Sequence, residues 1–179
     1  MSSRLKSLIE SGVPVAHLKI GECIFARRPL VISTVLGSCV SATFFHRDSR
    51  ASAMFHAMLP DSSMTKVARR PCNYVDTAVA AILERFRRLG LRPAALEVKL
   101  LGGANTMQDQ GRRVAGLDLD VGRRNVERAR AVLAAAGLRI EREHTLGEVG
   151  RTVAFSTLDG EVYVRHVDAP ESEEYTAIA

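Results

Sequence analysis

The sequence predicts an α+β protein with helices packed on a largely antiparallel sheet, and three observations lead to that prediction. Two stretches place apolar residues at helical spacing. Short β-branched or apolar runs of strand length cluster at both ends of the chain. These runs do not alternate strictly with helices, as the strands of a doubly wound parallel sheet would. The 179 residues, 46% hydrophobic and 25% charged, fit one globular domain.

The N-terminal part of the chain suits a short helix followed by strands. Residues 3–10 can form one or two helical turns before a glycine and a proline end them. Five short runs then suit strands: 17–20, 23–26, 31–36, 39–45 and 51–59. Gly37 and Ser38 end the third of these strands. Polar residues 46–50 separate the last two runs, and this spacing predicts a hairpin between them.

Two longer helices carry clearer signals. Residues 73–89 place apolar side chains on one stripe with arginines outside it, and residues 123–136 repeat the pattern. A glycine directly follows each helix, as expected for a C-cap. Four further strands are expected: 96–101, 138–143, 152–157 and 161–167. Asp159-Gly160 suits a type I′ turn between the last two.

Composition limits the domain organisation and the compartment. We expect an N-terminal extension (residues 1–16), a single domain (17–167) and an acidic, mobile tail (168–179). No apolar run approaches the about 18 residues that cross a bilayer, and the N-terminus lacks a secretory apolar stretch. The sequence therefore predicts a cytoplasmic protein with no membrane insertion.

Cys23, Cys39 and Cys72 are odd in number and widely spaced, which argues against a disulfide framework. There is no C-x-x-C pair to suggest zinc. We therefore expect three reduced thiols, with Cys23 and Cys72 as packing residues, and no metal or cofactor.

Cys39 and His56 form a candidate catalytic pair. If the predicted hairpin turns near residues 47–48, position 39 faces position 56, and opposed Cβ atoms lie about 4.5–5.5 Å apart. A turn shifted by one position keeps the two residues within one diagonal. An imidazole at that distance can take the proton of a thiol, and the thiolate is the nucleophile. A cysteine on a strand is more often inert packing, so this local pattern does not by itself establish a site.

Residues before Cys39 supply two further candidate roles. The bend at Gly37 and Ser38 can turn backbone N–H groups toward a reacting carbonyl, as an oxyanion hole requires. Ser33 and Thr34 lie on the preceding strand, and either hydroxyl can orient His56. The local pattern does not choose between the two hydroxyls.

Several sequence blocks resemble one known family. LGSCV at 36–40, followed by FHAMLPD at 55–61, is similar to the paired signature of the CheD family of chemoreceptor glutamine deamidases. The resemblance spans about residues 20–167 and continues in order through four blocks: NYVDTAV, LLGGAN, GRRNV and GRTVAFSTLDG. It implies that Cys39 is the nucleophile and His56 the general base. The family's third residue is typically a threonine six positions before the cysteine, which is Ser33 here, with Thr34 beside it.

The resemblance also implies a fold, a substrate and partners. It implies a three-layer α/β/β sandwich that converts glutamine side chains in the cytoplasmic helical domain of chemoreceptors to glutamate, without a cofactor. Methylesterase activity on the same receptors is chemically close. One alternative is a regulatory binding partner of a CheC-type phosphatase, with catalysis secondary. A basic nucleic-acid binder is a second alternative that the lack of aromatic residues among the basic ones disfavours.

Other features have structural interpretations. Gly102-Gly103 is expected to be a tight turn near the site, because no Walker lysine or Rossmann pattern follows it. His144 and His166 lack ligand spacing and are expected to be structural or surface residues. Six arginines are expected on a solvated face that an acidic receptor can approach: Arg112, Arg113, Arg123, Arg124, Arg128 and Arg130.

Overall fold

The computed structural model describes residues 3–64, 70–106, 120–170 and 174–178. In these ranges the chain forms three α-helices: α1 (Ser3–Glu10), α2 (Val75–Arg88) and α3 (Val121–Ala135). It also forms ten strands: β1 (Val15–His17), β2 (Cys23–Ala26), β3 (Val31–Leu36), β4 (Val40–Phe45), β5 (Ser52–Phe55), β6 (Glu97–Gly102), β7 (Ile140–Thr145), β8 (Arg151–Ser156), β9 (Val162–His166) and β10 (Thr176–Ile178).

The strands form two five-stranded sheets. Sheet 1 has the order β1-β3-β8-β9-β10, and sheet 2 has the order β2-β5-β4-β6-β7. Among the strands described, β1–β3 and β6–β7 are the parallel pairs, and the other six pairs are antiparallel. The predicted mixture of helices with largely antiparallel sheets is therefore confirmed.

Two apolar clusters place the sheets and the long helices. One cluster joins the facing sides of the sheets and includes Ile32 from sheet 1 and Met54 and Leu101 from sheet 2, all fully buried. The other joins the opposite side of sheet 2 to helices α2 and α3 and includes Phe86 and Leu133. Burying a side chain of this size contributes about 1.5–3 kcal/mol relative to exposure.

Hydrogen bonds of adjacent residues determine where the two long helices begin. The predicted helix 73–89 begins at Val75, because the carbonyl of Asn73 accepts hydrogen bonds from the N–H groups of Met58 (3.1 Å) and Leu59 (3.0 Å). Helix α3 begins earlier than predicted, at Val121, and the Asp120 side chain caps it by accepting from the N–H of Arg123 at 2.8 Å.

The two chain ends pack on the domain in the ranges described. Leu5 of α1 is 1% exposed and lies in a cluster with Val31 and Tyr163 on sheet 1. Thr176–Ile178 pairs antiparallel with β9, and the nearly buried Lys99 donates to the carbonyl of Ile178 at 2.8 Å. The sequence did not predict this strand, because its partner and the lysine that contacts it are distant in sequence; the mobility of the tail stays a prediction.

The expectation of three reduced thiols is wrong. Cys23 and Cys72 form a disulfide with their Cα atoms 6.1 Å apart and a sequence separation of 49. A β-bridge between Gly21 and Cys72 brings the segment before α2 alongside β2. This pairing is long-range, so cysteine spacing alone gave no sign of it. The disulfide leaves Cys39 as the thiol of the chain.

Candidate functional site

The predicted hairpin forms, but its register differs from the predicted one. Strands β4 and β5 pair Thr43 with Met54, and an isolated bridge in the same register pairs Val40 with Ala57. In this register the position opposite Cys39 is residue 58, not residue 56. His56 therefore lies on the diagonal from Cys39, and the direct opposition predicted from the sequence is wrong. A shift of two residues keeps both side chains on one face of the sheet, because side chains alternate with a period of two.

His56 is held by a chain of two hydrogen bonds. Its side chain is nearly buried, and its Nδ1 lies 2.8 Å from the Thr34 hydroxyl oxygen. That hydroxyl donates its single proton to the carbonyl of Leu18, also at 2.8 Å. The hydroxyl must therefore accept at His56, so the imidazole proton resides on Nδ1. This arrangement leaves the lone pair on Nε2.

The Nε2 atom of His56 is able to accept a proton. It is buried and has no hydrogen-bond partner among the described residues. Burial lowers the pKa of His56 below its ordinary value of 6.5, and the Leu18 carbonyl opposes this shift. The neutral imidazole is therefore the favoured form. A buried polar atom without a partner costs about 1–3 kcal/mol, which a functional role can justify.

The structure distinguishes the two candidate hydroxyls. Thr34 is 5% exposed and contacts His56, whereas Ser33 is its immediate neighbour on β3. Consecutive side chains on a strand point to opposite faces, so Ser33 points away from the facing sheet that carries His56. Thr34, five positions before Cys39, is the hydroxyl that meets the imidazole.

Cys39 directly follows the predicted bend at Gly37 and Ser38. It is partly buried and packs against the cluster between the two sheets. The carbonyls of Gly37, Ser38 and Cys39 each accept a hydrogen bond, in order from the N–H of Ala104 (2.8 Å), Nδ2 of Asn125 (3.0 Å) and the N–H of Gly103 (2.8 Å). In a planar trans peptide the N–H points opposite to the C=O. The N–H groups of Ser38 and Cys39 therefore point away from these donors.

Gly102 and Gly103 form the tight turn that supports this segment. Both have positive φ, 103° and 69°. A Cβ added at Gly102 would lie 2.2 Å from the Cys39 carbonyl oxygen, and one at Gly103 would lie 2.3 Å from a Val126 methyl carbon. Only glycine allows both close approaches. The prediction of a tight turn near the site, in place of a phosphate cradle, is confirmed.

A second polar cluster lies behind the turn. The guanidinium of Arg151, 2% exposed, donates to the carbonyls of His144 and Leu146. Leu146 N–H in turn donates to the Gly102 carbonyl at 2.8 Å, so this cluster fixes the loop against which the glycine turn rests. The rings of His144 and His166 lie 5.8 Å apart.

The remaining predictions concern charge, metals and membranes. Arg128 pairs with Asp61 at 2.7 Å and Arg130 with Glu143 at 2.6 Å, so the exposed arginines are partly neutralised. Arg112 and Arg113 lie outside the described residues. The described ranges contain no group of three acidic, histidine or cysteine side chains able to hold a metal ion. None of the helices described is long and apolar enough to span a membrane.

Sequence reasoning missed two contributors to the site. Leu18 provides the carbonyl that orients the Thr34 hydroxyl, and backbone atoms carry no sequence signal. Asn125 is a fully buried asparagine on α3 that binds the loop before Cys39. Its position beside Val126, on the apolar stripe of the predicted helix, was the one available signal.

Comparisons with known proteins agree with the resemblance. The family model described as "CheD chemotactic sensory transduction" matches residues 58–166, a segment that begins just after His56. A protein of Oleidesulfovibrio alaskensis named "Probable chemoreceptor glutamine deamidase CheD" is 48% identical over 160 residues, which cover 89% of this chain and 76% of the relative. A relative with the same name from Nitratidesulfovibrio vulgaris is 48% identical over 150 residues, 83% of this chain and 75% of the relative.

More distant comparisons extend this set. The "Probable chemoreceptor glutamine deamidase CheD 2" of Geobacter sulfurreducens is 41% identical over 161 residues, which cover 90% of this chain and 95% of the relative. Among solved structures, the hypothetical protein YfiH of Bacillus licheniformis matches with a TM-score of 0.46 and 15% identity, over 70% of this chain and 51% of that one. That structural similarity is too low to support a conclusion about function.

Proposed function

This chain belongs to the CheD family, and from that membership we propose that it converts glutamine side chains of chemoreceptors to glutamate with release of ammonia. Relatives that match most of the chain carry that activity in their names. The observation that carries the proposal is the buried Nε2 of His56, which lacks a partner among the described residues while Nδ1 is fixed by Thr34. A base in this state, on the same sheet face as a thiol, suits thiol-dependent amide hydrolysis.

The first proposed stage forms a thioester. Nε2 of His56 takes the proton of the Cys39 thiol, and the thiolate attacks the carboxamide carbon of the bound glutamine. Negative charge collects on the carboxamide oxygen, where the N–H groups of the Gly37–Cys39 bend are proposed to bind it. The imidazolium then gives its proton to the departing nitrogen, so that ammonia leaves and the acyl group stays on sulfur.

The second proposed stage regenerates the enzyme. Nε2 of His56 accepts a proton from a water molecule, and the hydroxide attacks the thioester carbon. The carbon–sulfur bond breaks, the thiol is reprotonated, and glutamate is released. The net change is glutamine plus water to glutamate plus ammonia, and no step draws on a cofactor.

The acyl intermediate has two consequences for the receptor. The product carries a new negative charge and a carboxylate that can be methylated. A methyl ester of glutamate would give the same thioester on Cys39, so we include methylesterase activity as a side reaction. The proposed substrate is the cytoplasmic helical domain of the receptor, and we therefore propose that the protein acts in the cytoplasm. We also propose that the helices and the two sheets form a three-layer α/β/β sandwich.

Intact mass of a purified chemoreceptor cytoplasmic fragment tests the proposal. The fragment, from the same organism, is incubated with wild-type protein, with Cys39→Ala and with Ser33→Ala as the matched control. Replacement of –NH2 by –OH at a glutamine is expected with the wild type and the control and not with Cys39→Ala, and peptide mapping locates it. If a folded cognate fragment is unchanged by the wild type, deamidation is refuted. Binding to a CheC-type phosphatase, the alternative from the same resemblance, would then be measured.

A further inference from the structure

Asn125 joins the two sides of the candidate site from a distant helix. It lies in the first two turns of α3, and its side chain is fully buried. Its Nδ2 donates to the carbonyl of Ser38 at 3.0 Å and to the carbonyl of Met58 at 3.1 Å. Ser38 directly precedes Cys39, and Met58 follows His56 by two residues. One amide group thus holds the nucleophile segment and the base segment together.

The contacts fix which end of the amide faces the site. Both partners of Nδ2 are carbonyl oxygens, so a flipped amide would set Oδ1 against two acceptors. The side chain has little freedom, because α3 packs closely on the glycine turn. A Cβ added at Gly122 would lie 2.6 Å from the carbonyl oxygen of Gly103. The first turn of α3 is therefore seated directly on the loop that supports Cys39.

The hydrogen bond to Ser38 has a geometric consequence for Cys39. The Ser38–Cys39 peptide is planar and trans, so its N–H points opposite to its C=O. By holding the Ser38 carbonyl on the α3 side, Asn125 aims the Cys39 N–H to the other side of the bend. An N–H donor next to the nucleophile, aimed at the developing oxyanion, is the arrangement that stabilises the tetrahedral intermediates of acyl transfer.

We propose that Asn125 is a positioning residue that orients the Ser38–Cys39 peptide, and so sets the oxyanion donor of the reaction. This inference rests on the proposed thiol chemistry at Cys39 and does not depend on which protein is the substrate. Asn125 does not touch the reacting atoms and takes no proton. Its loss should impair steps that pass through an oxyanion and spare the reactivity of the thiol itself.

Two small reagents separate these effects without a receptor. 4-Nitrophenyl acetate acylates a thiolate through a tetrahedral oxyanion: the sulfur–carbon bond forms, 4-nitrophenolate leaves, and an acetyl thioester remains. Iodoacetamide alkylates the same thiolate by displacement of iodide, with no oxyanion. Removing an oxyanion donor costs about 100–1,000-fold, so a misaimed donor in Asn125→Ala should slow acylation about 10–100-fold. Alkylation, measured from pH 5 to 9, should keep its pH profile and change less than about threefold.

Control variants and substrates separate a failure of the Asn125 inference from a failure of the proposed nucleophile or substrate class. Glu127→Gln, at an exposed position of the same helix, should match the wild type with both reagents. If acylation persists in Cys39→Ala, the proposed nucleophile is wrong. If the wild type acylates but does not deamidate a receptor, the substrate class is wrong and the Asn125 comparison still stands.

Three outcomes with the Asn125 variants would refute the inference. Equal losses of acylation and alkylation in Asn125→Ala would show a general structural role and overturn the proposal, as would no loss of acylation. If Asn125→Ala does not fold, Asn125→Ser, which keeps a small polar group, replaces it in the same comparison. If neither variant folds, Asn125 is a residue of the fold alone and the inference is refuted.

Discussion

Replacing Thr34 with valine removes one oxygen and leaves the side-chain shape nearly unchanged. Thr34 is 5% exposed, and its hydroxyl bridges His56 Nδ1 and the Leu18 carbonyl, each at 2.8 Å. In Thr34→Val both of these buried groups lose their partner, which costs about 1–3 kcal/mol for each. We therefore expect a lower free energy of unfolding in urea, with the fold retained.

The same change should reduce catalysis through the tautomer of His56. The Thr34 hydroxyl favours the proton on Nδ1 by the strength of one buried hydrogen bond, about 1–2 kcal/mol. Without it, the tautomer with the proton on Nε2 becomes populated and cannot accept the thiol proton. That free energy corresponds to a loss of about 5–30-fold in kcat for receptor deamidation. Initial rates by intact mass measure the loss, and imidazole 15N shifts report the tautomer directly.

Two substitutions serve as controls for Thr34→Val. Thr34→Ser keeps the hydroxyl and should retain most of kcat, because the bridge to His56 survives. Ser33→Ala should leave kcat unchanged, because the Ser33 side chain points to the opposite face of β3. The reasoning is refuted if Thr34→Val turns over at the wild-type rate, or if Ser33→Ala loses as much activity as Thr34→Val.

Two further predictions concern the disulfide and pH. Closing a loop across a separation of 49 residues stabilises a chain by roughly 4 kcal/mol on the chain-entropy model, so reductant should lower the unfolding free energy of the wild type but not of Cys23→Ala/Cys72→Ala. Equal urea midpoints with and without reductant would contradict this. Because burial lowers the pKa of His56, the acidic limb of kcat/KM should fall below pH 6.5. The unfolded histidine binds its proton at higher pH than the folded one, so the stability that neutral His56 confers is full above pH 6.5 and is lost as pH falls through the lowered pKa. The assignment is refuted if the acidic limb of kcat/KM lies above pH 6.5. It is also refuted if a His56 variant with residual activity keeps that limb at the same pH.

Local patterns predicted most of the secondary structure, and long-range pairing accounts for the errors. The strand 31–36 and the helix 3–10 match the structure residue for residue, because β-branched and amphipathic patterns are local signals. Strand β10 was missed, since its partner β9 and its anchor Lys99 lie far away in sequence. The Cys23–Cys72 disulfide was missed for the same reason.

For the candidate site too, the local pattern predicted residues on one hairpin and missed a residue that is distant in sequence. Cys39 and His56 lie on one hairpin, so the period of two placed them on one face even though the register was wrong by two residues. Asn125 approaches Ser38 across 87 residues of sequence, and no hairpin geometry relates them. Its place on an otherwise apolar helical stripe is visible in the sequence, but its two carbonyl partners are not.

The choice between Ser33 and Thr34 shows why the sequence alone could not complete the site. Strand β3 reads VISTVL, so one face carries two apolar residues and Ser33, and the other carries two apolar residues and Thr34. The two faces are equivalent in pattern, and alternation cannot say which meets sheet 2. The decision comes from packing: Ile32 and Leu36, on the same face as Thr34, lie in the cluster that joins the sheets, whereas Val31 lies under α1. Since α1 occupies the Val31 face, the Thr34 face is the one that can meet His56.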